Sequence, residues 1–202
     1  MTRVALATRN AHKLAELAAI LAPELPGIEL VPAVGPEPVE DGTTFAANAL
    51  IKARAEAAAA GIPALADDSG LEVDALGGAP GIHSARYAGT RVDADNIALL
   101  LRRLAELGPD APRTARFVCA AALAMPDGRE HVEVAAWPGE ILPAPVGDGG
   151  FGYDPVFRPE GLPVSLAQLR PEEKNAISHR TRAFRALIPT AAAWLAAGAG
   201  TP

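Results

Sequence analysis

The chain opens with a short apolar strand, a polar turn and an amphipathic helix, and that succession constrains its fold more than any bulk property. Arg3 to Ala7 reads as a strand, and Leu14, Leu17, Ala18 and Leu21 then share one helical face. A strand that feeds directly into a helix buries both in a layered α/β arrangement. Prolines at 23, 26, 32, 36 and 38 break the next stretch into loops around a short strand near Ile28 to Val31. A second helix is expected to begin after Thr43 or Thr44, run through alanine-rich sequence and stop at Gly61. Pro63 to Ala66 reads as a strand ending in Asp67-Asp68-Ser69-Gly70, and Leu71 to Leu76 as another. Asp93 is expected to cap a helix carrying Ile97, Leu100, Leu101, Leu104 and Leu107 and ending at Gly108. Phe117 to Met125 and Glu130 to Trp137 flank Pro126-Asp127-Gly128 as a β-hairpin. The C-terminal part reads as helical, with Pro171 in a first turn and Pro189 a kink or break. The expectation is an α/β fold with a mixed sheet, in one large domain or one split into two lobes over residues 1–197, and a flexible tail at 198–202.

Charge narrows the classes of partner. The formal net charge is −6 and the pI about 5.2, which argues against a surface that tracks a nucleic-acid backbone. A local basic pocket can still hold phosphates, because salt confines each charge to about 8 to 10 Å. Only three of the 18 basic residues are lysines, Lys13, Lys52 and Lys174, and each falls inside a polar motif. Cys119 is the single cysteine, so no internal disulfide forms, and its place in a strand-like run reads as a buried structural thiol. No stretch approaches the ~20 apolar residues of a membrane span, and a cytoplasmic protein is the default expectation.

Five polar segments carry candidate chemistry, each beside a plainer reading. Thr8, Arg9, Asn10, Ala11, His12 and Lys13 lie between the first strand and helix, where backbone N–H groups and the helix dipole favour an anion. Equally, Asn10 caps an ordinary helix and Lys13 faces solvent. Glu40 precedes the second helix, on which Asn48 and Lys52 share a face. Either Glu40 gives an oxygen to Mg²⁺, which takes one or two carboxylates plus phosphates and water, or it merely favours the helix start. Asp67 and Asp68 follow an apolar strand, where buried charge demands compensation. Mg²⁺ and water activation are one answer, and a local Asx turn another. Gly147, Gly149 and Gly152 match G-x-G-x-x-G, but Tyr153-Asp154-Pro155 follows where a dinucleotide fold needs a helix. That loop instead allows Phe151 to stack on a base, or else it is a tight turn with Phe151 in the core. Lys174, His179 and Arg180 gather donors near a helix start with Ser178 as a candidate cap, or are structural residues.

In this order, TRNAHK, EDGTTFAANALIKA, DDSGLEVDALGGAPGIHSARYAG, GGFGYDPVF and EEKNAISHR closely resemble the inosine triphosphate pyrophosphatase family, in its bacterial dITP/XTP form, from Val4 to about Leu187. The resemblance implies an elongated α/β fold with a mixed sheet and flanking helices, two lobes around a deep nucleotide-binding cleft, a homodimer and Mg²⁺. It implies that Thr8, Arg9, Asn10, Ala11, His12 and Lys13 hold phosphates and that Glu40 and Asp68 serve the metal. By the same match Asp68 accepts the proton of the attacking water, and Asn48 and Lys52 assist at the triphosphate. Ser69, Phe151, Gly152, Tyr153, Asp154, Lys174, His179 and Arg180 would contact the purine nucleotide. Arg9 departs from the family pattern, where many members carry glycine; arginine fits if its φ is negative and its side chain points outward. An enzyme of this architecture acting on modified pyrimidine or other nucleotides, and a non-catalytic nucleotide-binding regulator, are the rival readings.

Overall fold

The structure, a computed structural model, describes residues 2–198. Among the described residues six strands and five α-helices follow one another in the order β1 (Thr2–Leu6), α1 (Ala11–Leu21), β2 (Ile28–Pro32), α2 (Phe45–Ala60), β3 (Ala64–Val73), α3 (Asp93–Glu106), β4 (Thr114–Ala124), β5 (Glu130–Ile141), β6 (Phe157–Pro159), α4 (Pro171–Ile177) and α5 (His179–Gly198). The strands form one sheet in the order β2-β1-β3-β4-β5-β6. β1 runs parallel to β2, with Thr2 opposite Ile28, and parallel to β3, with Leu6 opposite Leu65. β5 and β6 are antiparallel, with Ile141 opposite Phe157. The sheet is therefore mixed, as expected, and helices complete the α/β architecture.

Parallel neighbours require a crossover, and α1 lies on the connection from β1 to β2 and α2 on that from β2 to β3. The order β2-β1-β3 places a topological switch point between β1 and β3, where open parallel sheets bind ligands beyond the strand C-termini. The Thr8–Lys13 segment leaves β1 at that point.

Two compact units divide the chain. The first comprises residues up to Asp68, Cys119–Ala135 and the chain from Arg180, and the second Ser69–Val118 and Ala136–His179. The first unit's core is built from Val4 and Leu6 of β1, Leu17, Ile20 and Leu21 of α1, Leu65, Cys119, Leu123, and Phe184 and Leu187 of α5. The second unit has its own core, with Leu71, Val73, Leu100, Leu104, Phe117, Trp137, Val156 and Phe157. Among the described residues no helix is long and apolar enough to cross a membrane.

Several local expectations hold for clear reasons. Thr44 caps α2 by accepting the Ala47 N–H at 3.1 Å, and Gly61 ends it in the left-handed conformation at φ 67°. Pro171 occupies the first turn of α4. The Met125–Arg129 turn joins β4 to β5, with the Met125 N–H donating to Arg129 O at 2.8 Å.

Other expectations are corrected. The two strands read at 63–66 and 71–76 merge into one continuous β3 that ends at Val73, with a 3-10 turn over Asp74–Leu76, so the acidic pair lies within the strand, its charge met by ion pairs instead of solvent. Asp93 is the first helical residue of α3, Val92 holds the cap position, and the Asp93 carboxylate instead accepts the Gly152 N–H at 2.6 Å. Of the kink or break expected at Pro189, the break does not occur, since α5 continues past it to Gly198. Of the expected 198–202 tail, residues 199–202 lie outside the described residues.

Candidate active site

At the start of α1 the plainer reading of the Thr8–Lys13 segment holds for the cap but not for Lys13. Asn10 caps the helix, its Oδ1 accepting the Lys13 N–H at 3.2 Å, while Thr8 Oγ1 accepts the Asn10 N–H at 3.3 Å. The Lys13 side chain is not in solvent. Its Nζ lies 3.0 Å from Asp67 Oδ2, so an ammonium stands at the loop where an anion is favoured. Ala11 is the exposed first residue of α1; of His12 only the helical backbone is described. Arg9 has the negative φ that a residue larger than glycine needs, since no described residue other than glycine has a positive φ. The residue is exposed, while its Nη2 donates to Gly35 O.

Successive side chains leave a strand by opposite faces, and β3 uses this to send Asp67 and Asp68 to different partners. Asp67 is fully buried against Lys13 and the Arg180 Nε, the latter at 3.3 Å. Burial pushes its carboxyl up, but the charges of Lys13, Arg180 and Lys52 outweigh burial and hold it well below the usual carboxylate range. Arg180 is 2% exposed and also donates to Glu16, and these anions overcome its burial to keep it firmly protonated.

Asp68 turns toward α2, where Lys52 Nζ lies 3.0 Å from its Oδ1 and 3.2 Å from Glu40 Oε2. One ammonium thus bridges the two carboxylates that the sequence marked for a metal. Burial raises the Asp68 pKa against the opposing charges of Lys52 and Lys13, making it a stronger base than an exposed aspartate. Its other oxygen, Oδ2, is buried and has no hydrogen-bond partner among the described residues. A buried carboxylate oxygen left in this state calls for a cation or a water proton. No group of three or more His, Cys, Asp or Glu is placed to cage a metal among the described residues. Mg²⁺ does not need one, since one or two carboxylates with phosphates and water suffice, and this donor set fits it.

Asn48, almost fully buried, points its Oδ1 at the Gly42 N–H, 2.9 Å away. A Cβ on Gly42 would sit 2.6 Å from that oxygen, so glycine is required for the approach. Asn48 therefore fixes the loop that presents Glu40.

The remaining candidates belong to the second unit, where Ser69 is half-buried on β3. Asp154 Oδ2 accepts the Phe151 N–H at 2.9 Å and the Lys174 Nζ at 2.6 Å, forming a buried ion pair. Lys174 Nζ also lies 4.5 Å from the Phe151 ring centroid, a cation–π contact. Gly152 is tied to Asp93 as described, and the buried Tyr153 hydroxyl donates to Ser84 O at 2.9 Å. His179 is 4% exposed and stacks on Phe117, with centroids 4.9 Å apart at an interplanar angle of 12°. Cys119 is buried as expected; burial, aided by the Asp67 charge, pushes its thiol up to about 12, so it is no nucleophile at neutral pH.

The structure thus brings Lys13, Asp67 and Arg180 into one network, Glu40, Lys52 and Asp68 into a second, and Phe151, Asp154 and Lys174 into a third. Sequence reasoning did not find Glu16 or Glu56, whose partners are Arg180 and the Val34 and Gly35 N–H groups. Glu56 carried one local clue, an acidic side chain in the alanine stripe of α2. Glu16 carried none, because its partner is distant in sequence.

The Ham1 family model matches residues 4–190. A dITP/XTP pyrophosphatase of Leifsonia xyli subsp. xyli is 54% identical over 190 residues, covering 94% of this chain and 95% of that protein. One from Streptomyces coelicolor is 55% identical over 195 residues, covering 94% and 96%. Among solved structures, a HAM1 protein from Coxiella burnetii superposes with a TM-score of 0.85 at 43% identity, covering 94% of this chain and 98% of that one. The resemblance carried by the five motifs and the match over nearly the whole chain agree, and the chain belongs to the Ham1 family.

Proposed function

We propose that this protein is a Mg²⁺-dependent dITP/XTP pyrophosphatase that cleaves deaminated purine nucleoside triphosphates to the monophosphate and pyrophosphate. The observation that carries the reading is the Glu40–Lys52–Asp68 cluster, with Asp68 Oδ2 buried and lacking a hydrogen-bond partner among the described residues. The names of close relatives agree with this chemistry. Clearing such nucleotides from the pool of a cytoplasmic homodimer's own compartment is the role that follows, with neither nucleic acid nor membrane as partner.

Glu40 and Asp68 would hold the Mg²⁺, which when bound neutralises phosphate charge and makes a coordinated water more acidic. The chain's own groups do the rest. Asp68, made more basic by burial, takes a proton from the water that attacks the α-phosphorus. Lys52 keeps Glu40 and Asp68 from repelling one another and, with Asn48, serves the triphosphate. Thr8, Arg9, Asn10, Ala11, His12 and Lys13 form the phosphate segment, Lys13 supplying charge and the start of α1 its N–H groups. Ser69, Phe151, Gly152, Tyr153, Asp154, Lys174, His179 and Arg180 form the remaining nucleotide-binding set. Within it Phe151 stacks on the base, and His179 and Arg180 offer donors to a 6-oxo group.

The test is a panel of ITP, dITP, XTP, GTP, ATP and pyrimidine triphosphates with Mg²⁺, measuring pyrophosphate and orthophosphate separately. Pyrophosphate from the deaminated purines is expected. Orthophosphate alone would move cleavage to the γ-phosphate, and binding without turnover would make the protein a regulator.

A further inference from the structure

Arg9 stands on the exposed side of the segment between β1 and α1, and its Nη2 donates to the Gly35 carbonyl in the loop after β2. That acceptor is itself fixed. Glu56 of α2, only 4% exposed, accepts the Val34 N–H at 2.8 Å and the Gly35 N–H at 3.1 Å, one on each carboxylate oxygen. A carboxylate withdrawn from water requires donors, and these two backbone groups supply them. Gly35 has no space for a side chain, since a Cβ would come within 2.8 Å of Ala59 Cβ and 3.1 Å of Glu56 Oε2. The Gly35 carbonyl is therefore held in register with α2.

The same helix carries Asn48, Lys52 and Glu56 at four-residue spacing, one above another on a single face. Asn48 fixes Gly42, Lys52 joins Glu40 to Asp68, and Glu56 fixes the loop that receives Arg9. Glycine at position 9 would have no such tether and a wider choice of backbone conformations.

We propose that Arg9 is a positioning residue, which ties the Thr8–Lys13 segment through Gly35 and Glu56 to α2 and so sets where that segment meets the phosphates. The inference rests on the reading of this segment as a phosphate site. The Arg9 side chain acts through the carbonyl of Gly35, not by direct contact with the phosphates.

The test compares the parent with Arg9→Gly, Arg9→Met and Glu56→Gln. Two readouts are taken: amide hydrogen exchange over residues 8–13 without nucleotide, and KM and kcat for ITP. Removing the tether is expected to speed exchange in that segment and to raise KM roughly 5- to 10-fold, with kcat changing less. Arg9→Met, which keeps the side-chain length but not the donor, should match Arg9→Gly. Glu56→Gln, which leaves Arg9 intact, should move both readouts in the same direction, and combined with Arg9→Gly should add little. Should Glu56→Gln not fold, the two Arg9 variants decide the matter. Unaltered exchange, an unchanged KM, a loss confined to kcat, or independent addition of the two variants would each overturn the proposal. A parent that cleaves no nucleotide would sink the pyrophosphatase reading alone, because the exchange measurement still decides whether Arg9 tethers the segment.

Discussion

On a strand, neighbouring side chains leave by opposite faces, and this geometry gives Asp67 and Asp68 different chemistry despite their adjacency. Asp67 meets two cations and is held ionised, a structural anion for Lys13 and Arg180. Asp68 keeps one oxygen on Lys52 and leaves the other buried without a hydrogen-bond partner among the described residues. Asp68→Asn is expected to fold normally by circular dichroism and to lose turnover by about 10² to 10⁴-fold, the usual cost of a missing general base. A folded variant with near-normal kcat would remove Asp68 from that role. The acidic pair was legible in the sequence, because two carboxylates after an apolar run need compensation. The proposal that Asp68 and not Asp67 serves the water has no basis in the local sequence and rests on the family resemblance. The ion partners that separate them, Arg180 above all, are distant in the chain and leave no local trace.

At the scale of elements, α2 shows what local sequence can and cannot reveal. Its bounds were readable because Thr44 and Gly61 are residues whose side-chain oxygen and left-handed backbone suit a helix start and stop. Its register against the loops was not, since that depends on Asn48 meeting Gly42 and Glu56 meeting Gly35. The same limit explains β3: acidic residues read as a strand end, while the fold keeps the strand running by pairing them with lysines and an arginine. Lys52 links the helix to Glu40 as well as Asp68, and its ammonium holds the Glu40 carboxylate at 3.2 Å. Glu40→Gln replaces a carboxylate oxygen with a neutral amide oxygen, a poorer partner for a hard divalent ion. The Mg²⁺ concentration giving half-maximal rate is expected to rise, with partial rescue at excess metal. An unchanged Mg²⁺ titration would return Glu40 to the plainer role of favouring the start of α2.

Across the whole molecule the chain builds two hydrophobic cores from interleaved segments, and it passes between the units at Asp68–Ser69 and His179–Arg180 among other points. Periodicity exposed the elements but not this interleaving, which depends on contacts between remote stretches. In the proposed function, triphosphate chemistry falls to Lys13, Lys52 and Asp68 and base choice to Phe151, His179 and Arg180. The enzyme is then expected to prefer ITP, dITP and XTP over ATP. A 6-oxo group accepts the donors offered to it, whereas the 6-amino group of adenine leaves them unpaired, at ~1 to 3 kcal/mol for each buried group. Arg180 makes this prediction sharp, because Asp67 and Glu16 already hold it. Comparing kcat/KM for ITP and ATP in the parent and in Arg180→Ala separates two roles. If the variant loses ITP activity selectively, Arg180 reads the base from within its ion-pair network. If it loses both activities equally, Arg180 serves by fixing Asp67, and through it Lys13, and base choice must come from His179 or another group.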